Sequence, residues 1–279
     1  MKYVNDFLIL CVEVLCTLVV FGFFASIIWT IARTGFPALS WQMVSELPGG
    51  GYYLGKDGGI LNAIVGSLII VVFATVIGLI ISIPIVFFLN FYVKRGSRLA
   101  DAIRLTYDVL YGIPSIVYGA FAFTLMIFMG LKTSVTGGVI VTTLLIIPIF
   151  VRSMDEVARV VSRDLVEAVL SLGATRWEVC KVILRQIGSG VATATLLSIG
   201  RAIGDASGVL FTAGFTDNIP TAPDEPAATL PLAVFFQLTS PVPEVRDRAY
   251  AAALLLTLIV LTLSIIGRVI TRKISKNKI

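Results

Sequence analysis

The sequence has no histidine, few charged side chains and only three cysteines. Of its 279 residues, 14% are charged and 57% are hydrophobic, and the mean hydropathy is +0.96. The absence of histidine argues against most zinc and haem sites. Three cysteines cannot all pair, so we expect Cys11, Cys16 and Cys180 to be inert apolar residues. A soluble domain cannot bury so much apolar surface, which predicts an all-α integral membrane protein.

The apolar runs predict six transmembrane helices. Their approximate bounds are 7–32, 58–93, 109–131, 133–151, 190–214 and 249–267. The second run exceeds the roughly 20 residues that a span needs, and Pro84 is the expected kink. No cleavage site follows the first run, so we expect it to be retained as a helix. The loop after it suggests an N-terminal unit at 1–57, with the first helix and an extracytoplasmic loop, and a transmembrane core at 58–279.

Lysine and arginine residues are distributed unevenly between the loops. If six spans place both termini on one side of the membrane, that side carries 16 of these cations and the other side five, while Arg201 lies within a span. The positive-inside rule then predicts cytoplasmic termini and a cytoplasmic loop at about 152–189. The basic pI of about 9.2 is therefore a consequence of topology and does not indicate nucleic-acid binding.

One segment imitates a nucleotide-binding loop. Residues 50–57 match the phosphate-loop pattern up to the last position, where Asp57 replaces the Ser or Thr that binds the metal ion. The carboxylate would repel a phosphate, no strand is predicted before it, and an apolar span follows. The segment therefore predicts no nucleotide site.

The loop at about 152–189 contains a short helix, a glycine break and a second short helix, at residues 164–186, which we call the elbow. Asp164 is expected to cap the first helix, with Glu167 reaching back to it. Thr175 and Glu178 repeat this capping-box spacing at the second helix. Gly173 is expected to adopt the left-handed conformation that commonly ends a helix.

The first elbow helix is predicted to pack by one apolar face. Leu165, Val169 and Leu172 fall on that face by their i, i+4, i+7 spacing. A compact, capped helical elbow in a membrane protein is most simply interpreted as a docking element for another protein.

The fifth predicted span carries a glycine series and two charges. Gly200, Gly204 and Gly208 recur every four residues, which predicts a ridge where another helix approaches closely. Arg201 and Asp205 are also four residues apart and would share one face near the middle of the bilayer. An arginine at that depth costs at least about 2.5–3.5 kcal/mol, so the pair requires an explanation.

Two interpretations of this pair remain open. One is a structural ion pair that holds helices together. The other is a water-accessible pathway in which Arg201 attracts an anion and Asp205 limits how tightly the anion is held. In that pathway Ser207, together with Ser198 and Thr212, would add hydroxyl donors.

The elbow resembles the coupling motif of ABC importer permeases, which reads Glu-Ala-x-x-x-x-Gly and continues into a second short helix. The residues that match are Glu167, Ala168, Gly173, Ala174, Thr175, Arg176 and Trp177. The sequence departs from the family near 183–186, where the usual proline is replaced by Arg185 and Gln186. The resemblance implies that two cytoplasmic ATPase subunits grip these seven residues.

Three other segments are similar to the phosphate-specific branch of this family, in its A-type permease subunit. They lie at 58–67, at 112–119 and at 200–206 running into 210–214. In that branch the acid four residues after the arginine is commonly Glu, so Asp205 is a shortened version. Gly112, Pro114 and Ser115 of the second segment are expected at helix-packing positions, together with the glycine ridge.

This resemblance implies a type I ABC importer permease bundle in the cytoplasmic (inner) membrane. The chain would bind no cofactor of its own, since ATP and magnesium belong to the ATPase partners. A second homologous permease and an extracytoplasmic phosphate-binding protein would complete the importer. The chain would be a transport subunit that imports inorganic phosphate, and not an enzyme.

Other functions fit the residues less well. A permease for another oxyanion, such as sulfate or molybdate, is the nearest alternative. An ion-driven secondary transporter would tend to show inverted repeats, and no second copy of the Arg201–Asp205 segment is present. An intramembrane aspartyl protease would use Asp108 and Asp205 as a pair sharing a proton, but Arg201 would hold Asp205 ionised. We therefore expect no catalytic residues and no metal site.

Overall fold

The computed structural model describes residues 2–49, 58–94 and 96–276, and the phosphate-loop-like pattern at 50–57 lies outside them. The described residues form helices in the order α1 (Lys2–Ala38), α2 (Trp41–Ser45), α3 (Leu61–Phe87), a π-helical turn (Phe88–Tyr92), α4 (Arg98–Gly112), α5 (Ser115–Phe128), α6 (Val135–Arg159), α7 (Arg163–Ser171), α8 (Arg176–Gln186), α9 (Gly188–Ile203), α10 (Leu230–Leu238) and α11 (Pro243–Lys276). The predicted all-α fold class is confirmed.

Four of these helices are long and apolar enough to cross a membrane: α1, α3, α6 and α11. Two further pairs qualify only when joined, namely α4 with α5, bent by 99°, and α8 with α9, bent by 67°. The predicted six spans are therefore reached if each bent pair is counted as one span. Helix α6 continues past its predicted end at Val151 to Arg159, so the first part of the predicted loop at 152–189 is helical.

The third predicted span, 109–131, is wrong as a single helix. The chain breaks between α4 and α5 because Pro114 lacks a backbone N–H and forces Ile113 out of the helical region, to ψ 130°. The hydroxyl of Tyr118 donates a hydrogen bond to the carbonyl of Leu110 at 2.8 Å, which fixes the bend.

The fifth predicted span, 190–214, is also wrong as a continuous helix. Helix α9 ends before Gly204, and the Asp205 carboxylate accepts a hydrogen bond from the backbone N–H of Gly208 at 2.8 Å. A side chain that binds the nearby backbone in this way competes with helical hydrogen bonding. The predicted ridge through Gly200, Gly204 and Gly208 does not form, because Gly208 lies beyond the end of the helix.

The main core lies between α3, α6 and α9. Ile146 and Phe150 of α6 are fully buried, and a Cβ on Gly78 of α3 would lie 3.1 Å from the Phe150 ring. Gly138 allows a second close approach, since its Cβ would lie 2.8 Å from the end of Ile70. In a membrane such small residues favour association by van der Waals packing, because lipid is as apolar as the protein.

The helix distortion expected at Pro84 takes the form of a π-helical turn. Helix α3 continues through Pro84 to Phe87 and then widens over the next five residues. The turn brings Asn90 into the protein interior, where it is 7% exposed. This places a polar side chain at the end of the longest uncharged run of the sequence.

The N-terminal elements pack against the end of the chain. Met43 of α2 and Ile60 form a buried cluster with Leu230 of α10 and Ala251 of α11. Helix α1 contacts α11 but buries none of its apolar window within this chain. The predicted division at residue 57 stays a prediction, because residues 50–57 lie outside the described part.

Candidate functional site

The Arg201–Asp205 pair lies where α9 ends. The guanidinium Nη1 is 3.5 Å from the carboxylate Oδ1 of Asp205. The Asp205 side chain is only 4% exposed, whereas that of Arg201 is 46% exposed. The predicted contact is therefore present, although Asp205 follows the helix instead of belonging to it. Arg201 occupies the last turn of α9, where the negative end of the helix dipole stabilises a cation.

A hydroxyl contact connects this segment to α5. The side-chain oxygens of Ser115 and Ser207 lie 2.6 Å apart. One turn further along α5, a Cβ on Gly119 would come within 2.6 Å of the carbonyl oxygen of Gly208. The segment after α9 is thus held tightly against the start of α5. Ser198 and Thr212, by contrast, are fully buried and do not line the groove described next.

Arg201 opens onto a groove of about 500 Å³ between α4, α6 and α9. A second guanidinium, that of Arg152, lines the same groove. Arg152 is 3.6 Å from Asp108 and 3.8 Å from Glu156, and it lies 5.1 Å above the ring of Tyr111. The sequence interpretation missed Arg152 because it placed this residue in a loop. The periodic charges after Val151 were the signal that α6 continues.

A buried ionic cluster lies on the same helix as Arg152. The carboxylate of Asp155 is 2% exposed and accepts hydrogen bonds from four side chains on three elements. The donors and distances are Asn90 at 2.6 Å, Tyr107 at 2.8 Å, Arg104 Nε at 3.0 Å and Arg159 Nη2 at 2.8 Å. The cluster locks the π-helical turn and α4 onto α6. Apart from Arg159, the donors lie 48 to 65 positions from Asp155 in the sequence, so local spacing gave no sign of the cluster.

The elbow has the predicted helix–glycine–helix geometry. Gly173 has φ +82°, as expected for the residue that ends a helix. At the second helix the Glu178 carboxylate accepts a hydrogen bond from the backbone N–H of Thr175 at 2.7 Å, and the capping box is complete. The prediction that Asp164 caps the first elbow helix was wrong. Ser162 accepts the hydrogen bond from Leu165 N–H, and Asp164 lies in the first turn.

The elbow presents its motif on the surface. Leu165 and Val169 pack against the main core as predicted, but Leu172 is 88% exposed and does not. Trp177 is 68% exposed. The other motif residues are exposed except Ala174, which is half-buried; they are Glu167, Ala168, Gly173, Thr175 and Arg176. Two large apolar side chains beside cationic groups are available to another protein.

The remaining helix-packing residues show mixed outcomes within this chain. In the described structure, a Cβ built on Gly112 or Gly200 would have no neighbour within 4 Å, and one on Gly204 would meet only the Gly200 carbonyl at 3.5 Å. No helix within the described ranges packs closely there, so packing at these positions would need a partner subunit. Pro114 caps α5, and Ser115 makes the contact with Ser207.

In the part of the chain that the structure describes, the charged groups form neither a cluster of three metal-binding side chains nor a contact between Asp108 and Asp205. Among residues 2–49, 58–94 and 96–276 there is no group of three metal-binding side chains. Asp108 and Asp205, the pair that a protease would use, each contact a different arginine. The arrangement can attract an anion through guanidinium groups, each of which is partly neutralised by a carboxylate.

A helical membrane bundle with a guanidinium-lined groove and an exposed elbow is typical of a transport permease. Residues 74–278 match the family described as binding-protein-dependent transport system inner membrane component. The chain therefore belongs to this family of importer permeases, which are multi-pass proteins of the inner membrane.

Its relatives define the branch. The chain is 35% identical over 261 residues to the phosphate transport system permease protein PstA of Pasteurella multocida, which covers 92% of each chain. It is 35% identical to PstA of Haemophilus influenzae, covering 87% of this chain and 85% of that protein. It is 37% identical to PstA of Yersinia pestis, covering 77% and 73%. The predicted membership in the phosphate-specific branch is confirmed.

The fold is that of a solved importer. The MetNI methionine ABC transporter in an inward-facing conformation is similar with a TM-score of 0.63 and 16% identity, over 77% of this chain and 95% of that chain. At this identity the comparison shows the fold alone. The predicted importer-permease bundle is confirmed by it.

Proposed function

We propose that this chain is the A-type translocation subunit of an ATP-driven importer for inorganic phosphate. The observation that carries the proposal is the groove that Arg201 and Arg152 share at the bends of the helix bundle. The names of the relatives support phosphate as the anion. Guanidinium groups suit this ligand, because their planar donors match two phosphate oxygens at once.

The carboxylates set how strongly the groove would hold an anion. The carboxylate of Asp205 accepts a hydrogen bond from the N–H of Gly208 and forms an ion pair with the Arg201 guanidinium. The exposed part of Arg201 faces the groove. Arg152 is shared between Asp108 and Glu156. Each arginine can therefore contact an anion, but its charge is partly neutralised by a carboxylate. Such weakened binding lets the anion dissociate again, which a transport pathway requires.

The elbow would connect this pathway to ATP hydrolysis. Two ATPase subunits, which carry ATP and magnesium, would grip the exposed motif from Glu167 to Trp177. Their closure would move α7 and α8 and shift the bundle between outward and inward access, because ATP contacts favour one of these states. A second homologous permease would complete the pathway, and an extracytoplasmic phosphate-binding protein would deliver the anion.

The proposal also includes an orientation of the chain in the membrane. Both termini and the elbow would lie in the cytoplasm, as the distribution of Lys and Arg predicts. The unit at 1–57 would then supply one span and an extracytoplasmic loop, and 58–279 would form the permease core with the elbow.

The test is uptake by the complete complex reconstituted in vesicles. We expect ATP-dependent uptake of labelled phosphate that unlabelled phosphate suppresses and sulfate or molybdate does not. Equal uptake of sulfate or molybdate would make the chain a general oxyanion permease. Uptake without an ATPase subunit would refute the coupling mechanism.

A further inference from the structure

A second groove lies where α3 and the π-helical turn meet the second elbow helix, α8. Its volume is about 550 Å³. One wall is formed by Ile80, Ile83 and Phe88, and the other by Trp177 and Lys181, with Tyr92 between them. None of these residues lines the proposed anion pathway.

Two cations lie on aromatic rings of this groove. Lys181 lines the groove itself, whereas Arg176 lies beside it, over the ring of Tyr92. The Lys181 ammonium is 5.5 Å from the centre of the Trp177 ring, and the Arg176 guanidinium is 5.2 Å from that of Tyr92. Over the described ranges of the chain, neither cation forms an ion pair with a carboxylate. Their neighbour Glu178 accepts hydrogen bonds from Thr175 and also interacts electrostatically with Lys181. Two cations against one carboxylate leave this region net positive.

The other end of the groove is apolar and open. Ile80 is 66% exposed and Phe88 is 45% exposed, and both belong to the second half of the candidate membrane span Leu61–Tyr92. Along the groove, apolar side chains are followed by aromatic rings and then by cations. A bilayer shows the same sequence of environments from its hydrocarbon core to its headgroups. A ligand that fits the groove must itself be apolar at one end and anionic at the other.

We propose that this groove binds an anionic phospholipid. The headgroup phosphate would contact Lys181, and an acyl chain would lie along Ile80, Ile83 and Phe88, as in basic pockets between membrane helices that bind anionic lipids. A free phosphate ion would gain nothing from the apolar wall. The lipid would join α3 to α8 and hold the elbow against the membrane, a role separate from the transported substrate.

The complete importer, purified and reconstituted in nanodiscs, tests the proposal. Native mass spectrometry would count the phosphatidylglycerol and phosphatidylcholine molecules that remain bound. We expect wild-type complex to retain phosphatidylglycerol selectively and Lys181→Gln to lower that retention about fivefold, the factor that one cation contributes near an anionic surface. Arg185→Gln is the matched control, because it removes the same charge one turn along α8 without lining the groove.

A second pair of variants tests the apolar wall without changing charge. Ile83→Trp would fill the groove and displace the lipid, whereas Val72→Trp introduces the same side chain at an exposed position of α3 outside the groove. Equal retention of both lipids, or unchanged retention in Lys181→Gln and Ile83→Trp, would overturn the proposal. So would a cross-link from Ile83→Cys to the second permease, which would show a protein in the groove. These readouts do not depend on which anion is transported.

Discussion

Ser115 and Ser207 are 92 positions apart in the chain, yet their hydroxyl oxygens lie 2.6 Å from each other. Ser115 directly follows the helix break at Pro114, and Ser207 lies three residues after Gly204, where α9 ends. The contact joins the two bent segments beside the Arg201–Asp205 ion pair. The polar groove is therefore built where helices are interrupted, as ligand sites in membrane transporters often are.

Arg201→Gln should abolish phosphate uptake while the complex still assembles. The substitution removes the charge that faces the groove, and Asp205 keeps its hydrogen bond from Gly208 N–H. Uptake into vesicles and the subunit composition of the purified complex measure the two effects. Arg268→Gln, which alters an exposed arginine outside the groove, should transport normally. Retained uptake in Arg201→Gln would leave this residue with a packing role only.

Gly173→Asp should uncouple ATP hydrolysis from transport in a protein that still inserts. A Cβ at this position meets no atom within 4 Å, so the fold tolerates it apart from roughly 1–2 kcal/mol for the left-handed conformation. The added carboxylate lies on the surface proposed to bind the ATPase. Gly130→Asp is a close control, because Gly130 also has positive φ (+70°) and open space but lies outside the elbow. Equal uptake by both variants would contradict the docking role.

Gly119→Val should weaken the site through packing. Its Cβ would press on the carbonyl of Gly208, and overpacking of this kind costs about 1–3 kcal/mol. We expect a lower melting temperature of the solubilised complex and reduced uptake. Gly112→Val should have a much smaller effect on the melting temperature if no partner helix packs there, because the described chain leaves that position open. A melting temperature of Gly119→Val equal to that of wild type would show that the two segments separate easily.

Asp155→Asn should destabilise the bundle strongly. It leaves Arg104, whose side chain is 14% exposed, without its carboxylate, and breaking a buried ion pair by removing one partner costs about 3–5 kcal/mol. Asp108→Asn disrupts an exposed pair with Arg152, where the cost is about 1 kcal/mol or less. Thermal unfolding in detergent should separate the two variants clearly. Similar melting temperatures would mean that the buried cluster contributes little to stability.

Glu225 should stabilise the segment between α9 and α10 in a pH-dependent way. Hydrogen bonds from the backbone N–H groups of Thr221 and Ala222 lower the pKa of this carboxyl below its ordinary value of 4.5. A lowered folded-state pKa gives stability that is present above 4.5 and lost as the pH falls through the folded-state value. Glu225→Gln should therefore melt earlier than wild type at neutral pH, with the difference shrinking in acid. Asp224→Asn, which removes none of these bonds, should show no such trend.

Local spacing was enough to predict the elbow. Gly173, Thr175 and Glu178 interact within a few residues of one another, so their capping geometry is encoded in the nearby sequence. The same holds for the apolar runs that define the spans. The Arg201–Asp205 contact was also predicted from the local spacing, and it is present although Asp205 lies just beyond the end of α9.

The sequence alone therefore determined the membrane class, the elbow and the family, since each depends on composition or on neighbours in the chain. Only the tertiary structure decided where the spans break, that Arg152 shares the groove of Arg201, and that Asn90, Arg104 and Tyr107 converge on Asp155 from distant parts of the chain. The physical reason is that apolar periodicity reports the face a helix buries, whereas breaks and buried polar contacts depend on partners that lie far away in sequence.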